Sequence, residues 1–102
     1  MNIKTFILRG GQEIVGEVLG NPANRVQIVK RPFRVVYVGF PIPSPQGLQI
    51  QCNTTMQSFF ATAVADTLHL DLDDDVLVGP LEPHKAVIDQ YIQATTGIQL
   101  AS

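Results

Sequence analysis

The stretch Leu8-Arg-Gly-Gly11-Gln-Glu-Ile14-Val-Gly16-Glu-Val18 constrains the fold of this chain more than any other. Ile14, Gly16 and Val18 fall on one face at period two, with Val15, Glu17 and Leu19 on the other, which is strand spacing. Gly10-Gly11 supplies the positive φ that a two-residue turn needs, so the segment reads as a hairpin. A glycine inside a strand has no side chain to pack and marks a sharp bend or a close backbone approach. Small β-barrels need such a bend to close. A strongly bent antiparallel sheet is the first expectation.

The rest of the chain continues the β pattern until its last segment. Strands are expected at Asn2–Arg9, Gln12–Leu19 and Arg25–Lys30, with Gly20–Asn24 a turn by composition. Pro32 has no amide N–H, so the third strand should bend, bulge or restart there. Phe33–Phe40 resumes as a β-rich run, and Pro41–Gly47 reads as a proline-rich loop. Leu48–Cys52 and Met56–Ala65 read as strands, followed by two short ones, Thr67–Asp71 and Val76–Val78, around Leu72–Asp75. The period then changes: Val87, Ile88, Tyr91 and Ile92 form one apolar stripe of a helix that Glu82-Pro83 opens and Gly97 stops. The expected organisation is one domain over residues 1–102, with strands in 1–81 and a helix over 82–97.

Composition narrows the class. A chain of 102 residues supports one modest core. Its residues are 45% hydrophobic and only 16% charged, more apolar surface than a small barrel hides alone, so part of it is expected in a subunit interface. No apolar run is long enough for a membrane span. Met1–Thr5 lacks the apolar core of a leader, and one cysteine, Cys52, allows no internal disulfide. Cytoplasm is the expected location. The net charge of −2 divides unevenly: residues 1–51 carry six cations against two acids, and residues 52–102 one cation against seven acids. Such a split either sets opposite fields on two faces or marks two solvated surfaces.

The hairpin motif resembles the first motif of the Sm-like family, small barrels that assemble into RNA-binding rings. The proline-rich middle and the tail Pro80-Leu-Glu-Pro83, Ile88-Asp-Gln-Tyr-Ile92 and Gly97-Ile98 are similar to a phage-type subgroup attributed to marine cyanophages, in which the helix follows the strands. The resemblance implies an all-β, Sm-like (SH3-like), strongly bent five-stranded antiparallel barrel with a carboxy-terminal helix. It also implies a non-enzymatic homo-oligomeric ring of about five to seven subunits, without cofactor or metal, in the host cytoplasm. Its ligand would be single-stranded RNA. Asn24 would lie near the pore, with Arg25, Lys30, Arg31 and Arg34 on the phosphates.

The residues themselves carry two readings. Arg25, Lys30, Arg31 and Arg34, with Phe33 and Tyr37 interleaved, suit a phosphate track with stacking bases; equally, the aromatics are core and the charges guard a strand edge. Against RNA stands Asp73-Asp74-Asp75 in the turn between the last two strands, which repels phosphates. If that turn lines the pore, the alternative gains, an oligomeric protein–protein scaffold with the same fold; if it lies opposite a basic pore, RNA gains. Asp71, Asp73, Asp75 and Glu82 imitate calcium-loop spacing, but the position that needs glycine is Val76, so a hairpin turn is the plainer account. His69, His84 and Cys52 form no nucleophile–base pattern, and His69 between Leu68 and Leu70 reads as a surface strand position.

Overall fold

The computed structural model describes residues 2–60 and 63–96. β1 (Ile3–Leu8) and β2 (Glu13–Leu19) form the expected hairpin, with Ile3 opposite Glu17 and Ile7 opposite Glu13, and Gly11 turns it at a φ of 88°. β3 (Val26–Ser44), β4 (Gly47–Ser58), β5 (Thr67–Asp71), β6 (Val76–Leu81) and α1 (Lys85–Thr96) follow. The order in the sheet is β4-β3-β2-β1-β6, every pair is antiparallel, and β5 also pairs with β3.

β3 has three neighbours. Ile28–Val35 pairs with β2, Val26–Lys30 with β5, and Phe33–Ser44 with β4. Residues that face β2 on one side face β4 or β5 on the other, so β4 and β5 follow one another along the same edge of β3. Between them Phe59 N–H donates to Pro32 O at 3.0 Å and Arg31 N–H to Asp66 O at 2.5 Å.

The bend lies at this junction. Val15 faces Phe33 and Glu17 faces Lys30, so Gly16 alone opposes both Arg31 and Pro32. That is a bulge, which bends a strand and tightens its twist. A Cβ on Gly16 would lie 2.3 Å from Val29 Cγ1 and 3.3 Å from Lys30 O, so only glycine allows the approach. Arg31 takes a φ of 50°, unusual for a residue with a side chain. A second bulge sets Phe6 opposite Gly79 and Pro80, where Gly79 has a φ of 140° and a Cβ would meet Phe6 Cδ1 at 3.0 Å.

The bent sheet has a core on each face. Phe6, Ile14, Val18, Val29, Leu70 and Val76 fill the concave side. On the convex side Ile3, Val15 and Val35 pack with buried Tyr91, and Val87, Ile88 and Ile92 of α1 join them. The apolar stripe of the helix therefore docks on its own sheet. Tyr91 stacks edge-on against Phe33 with ring centres 5.8 Å apart, and its hydroxyl lies 3.0 Å from both Lys30 O and Arg31 O. The helix thus reaches the backbone of the bend.

Several expectations change. Six strands form, and β5 and β6 share no ladder among the described residues, so the sheet is not closed. Pro41–Ser44 is strand, because β2 leaves β3 after Val35 and no ladder is lost where prolines face an edge without a partner strand among the described residues. The two strands expected at Leu48–Cys52 and Met56–Ala65 are one, β4, which ends at Ser58. β6 continues to Leu81. The helix begins at Lys85, where Val87 and Ile88 N–H groups bond to His84 O; the expected stop at Gly97 lies outside the described residues.

The bulge generates a stability test. Gly16→Ala is expected to cost about 1–3 kcal/mol through overpacking, measured by urea denaturation. Gly10→Ala, which meets nothing within 4 Å, should stay within about 0.5 kcal/mol. Tyr91→Phe keeps the ring stack and loses the hydroxyl, at a cost of about 1 kcal/mol.

Candidate functional site

The densest set of charges lies where the β5–β6 turn meets the loop before β3. Asp71 ends β5, and its Oδ1 accepts the N–H groups of Asp73 at 2.9 Å and Asp74 at 3.2 Å, while Asp75 Oδ2 accepts the N–H of Asp71 at 2.9 Å. These side chains hold the turn in shape, as aspartates do in tight turns. Arg25, just before β3, donates from Nε to Asp71 Oδ1 at 2.9 Å and lies 3.3 Å from Asp73 and 3.4 Å from Asp74. Leu72 N–H donates to Arg25 O at 2.9 Å. From the other side Arg9 donates its Nη2 to Asp73 O at 2.8 Å and its backbone N–H to Asp75 O at 3.0 Å.

Four aspartates and two arginines therefore share one end of the sheet, and the balance is acidic. The hydrogen bond from Arg25 holds the Asp71 carboxyl below the usual carboxylate range, and the N–H groups of Asp73 and Asp74 act in the same direction. The sequence-level split between a basic half and an acidic half does not become two faces. Arg25 meets Asp71, Asp73 and Asp74, Lys4 meets Glu82, and opposite charges from the two halves meet.

The five candidate nucleic-acid residues do not form one patch. Asn24 is exposed in the loop, with its N–H bonded to Asn21 O at 3.1 Å and its carbonyl accepting Gln27 Nε2 at 2.5 Å. Arg25 is held by aspartates. Arg31 lies at the bulge with Nη2 3.7 Å from Glu17. Lys30 shares a face with its opposite residue Glu17, and Arg34 shares the other face with Ile14. Lys30 and Arg34 thus project to opposite sides of the sheet. Arg34 donates Nη2 to Gln57 at 3.1 Å, and its buried Nε has no partner. Phe33 is taken up by Tyr91, and the exposed Tyr37 donates its hydroxyl to Glu13 at 2.5 Å.

No three His, Cys, Asp or Glu side chains among the described residues form a group able to hold a metal. His69 is exposed on β5, as its alternation implies. It lines a cavity of about 480 Å³ with Arg9, Phe59, Leu68 and Asp75, between β5 and the β1–β2 turn.

One surface was not singled out by motif reasoning. Beyond Val35, β3 and β4 run on alone as a two-stranded arm, about 30 Å long at strand rise. Leu48, Ile50 and Tyr37 on this arm are 75%, 66% and 61% exposed. The signal is present in the sequence: the thirty-one residues from Val35 to Ala65 contain no Asp, Glu, Lys, Arg or His. No protein-family model matches the chain, and no curated protein matches it in sequence.

The acidic turn has a pH signature. A carboxyl whose folded pKa is depressed adds stability above its unfolded value, and that contribution disappears as pH falls through the folded value. Asp71→Asn is expected to destabilise the protein at neutral pH. The difference from wild type should shrink once pH falls below about 4 and vanish in strong acid, as followed by urea midpoints across pH.

Proposed function

We propose that this protein is a non-enzymatic, ring-forming subunit with an Sm-like barrel. The observation that carries the reading is the strand path β5-β3-β2-β1-β6, whose two end strands share no ladder among the described residues and are joined by the Leu72–Asp75 turn. Leu70 of β5 and Val76 of β6 reach the same concave core, which supports a strongly bent barrel left open between them. The outer edges of β5 and β6 are then free to pair head to tail between copies, and such contacts close into a ring when the rotation suits. Covering those edges also removes the aggregation hazard of unpaired strands.

The charge distribution favours a protein-binding scaffold as the use of that ring. The resemblance puts Asn24 near the pore, and the β5–β6 turn lies against the loop that carries it, with Arg25 engaged by aspartates. An acidic rim of repeated copies repels phosphates and attracts a basic segment of a partner protein. The single-stranded RNA reading rests on Lys30 and Arg34, cations with no acidic partner within ion-pair distance among the described residues.

Native mass spectrometry is expected to give a copy number that is a multiple of a ring of about five to seven; a monomer overturns the ring. Labelled U-rich and A-rich RNA oligomers at about 50 mM salt decide its use. The scaffold reading expects no saturable binding. Binding that weakens with salt, and weakens again in Lys30→Gln and Arg34→Gln, assigns the ring to RNA instead.

A further inference from the structure

We infer that the uncharged β3–β4 arm is a self-association element, whose β4 edge pairs antiparallel with the β4 edge of a second copy of this chain. The two edges of the arm differ. β3 beyond Val35 carries Pro41 and Pro43, which guard an edge because they cannot donate to a new ladder. β4 pairs with no strand other than β3 among the described residues. Its twelve residues contain no proline, no charge and no break in register against β3 from Phe33–Ser58 to Ser44–Gly47. Edge strands of monomers usually carry charges, prolines or bulges. One edge of this arm is protected and the other is left open.

The missing charge identifies the occupant. A nucleic acid needs cations, and a charged partner needs countercharge; neither exists between Arg34 and Asp66. A second copy is the partner for which an uncharged edge is self-compatible, since no like charges are brought together across the seam. Leu48 and Ile50 project on the same face as Tyr37, Pro41 and Pro43, so the joined arms make one continuous apolar face. That face continues the side on which α1 packs, because Val35 and Tyr37 share it.

Symmetry fixes the register to two choices. Residues directly opposite in an antiparallel pair lie on the same face, so a two-fold axis must pass through one residue facing its own copy. With the whole edge engaged, that residue is Cys52 or Asn53, the centre of Gly47–Ser58. Opposed antiparallel residues have Cα atoms about 4.5–5.5 Å apart, within the range a disulfide spans. In the ring reading such pairing joins two rings through their arms, but the pairing does not depend on that reading.

The test is the copy number of the full chain with Leu48→Lys and Ile50→Lys combined, at exposed positions where folding is unaffected. Light scattering should show the wild-type copy number fall by half, and the wild-type value should hold from about 0.1 to 1 M salt, as expected without ionic contacts. A ring would fall from two rings to one; without rings, a dimer would fall to a monomer, so failure of the ring leaves this outcome readable. Mild oxidation should also give a covalent dimer in either wild type or the Cys52→Ser, Asn53→Cys variant. An unchanged copy number, or no cross-link in both proteins, overturns the inference. Binding of an unpaired species to neutral phosphatidylcholine vesicles overturns it too and assigns the arm to a lipid surface.

Discussion

The close approach of Gly16 to Val29, Lys30 and Pro32 is the contact on which the rest of the structure depends. Because one residue of β2 opposes two of β3, the faces of β3 exchange across the bulge. Val29 before it points into the concave core, while Phe33 and Val35 after it point to the helix side. One long strand therefore serves two cores. The same exchange separates Lys30 from Arg34, which a straight strand would have placed on one face. Tyr91 completes the arrangement by bringing its hydroxyl to the carbonyls of Lys30 and Arg31 at the bulge. A helix distant in sequence thus stabilises the bend instead of merely covering apolar surface.

Charge follows from the same geometry. Bending brings the start of β3 against the end of β5, so Arg25 meets Asp71, although forty-six positions separate them. These side chains are half-exposed or more on the arginine side, and such pairs contribute little to stability in water. Their consequence is positional: the turn is held by its own backbone bonds to Asp71, and Arg25 is engaged by aspartates instead of standing free for a phosphate. The electrostatic character of that end is decided by the fold, not by the count of cations in the first half of the chain.

Legibility divides along physical lines. The hairpin, the special role of Gly16, the interruption at Pro32 and the apolar stripe of α1 were all readable, because each depends on local spacing or on one residue's backbone chemistry. Pro41–Ser44 was not, because proline signals a loop unless the edge it faces is empty, and that emptiness is a tertiary fact. The engagement of Arg25 was equally hidden, since it needs the register between β3 and β5. Among the proposed binding residues, spacing correctly placed Lys30 and Arg34 on a strand. Which face each takes was not readable, because the bulge shifts register by a single residue, and a one-residue shift inverts every side chain that follows.

The arm shows how one composition satisfies conflicting demands. An extended hairpin without a third strand is marginal in water, and this one lacks even the charges that would keep it solvated. Its ladder is unbroken, with a tight turn in which Ser44 bonds to Gly47 O at 2.7 Å and Gly47 takes a φ of 112°. Local order of that kind is what an edge needs in order to present a fixed register to an identical edge. A charged arm would be soluble alone but would repel its copy; an arm with proline on both edges would be safe but unable to pair. Proline on β3 and none on β4 leaves one direction of growth, and a two-fold contact there terminates after a single pairing because it uses the open edge of both copies. Restricting association to one edge, and letting symmetry end it, reconciles an apolar arm with a protein that stays discrete.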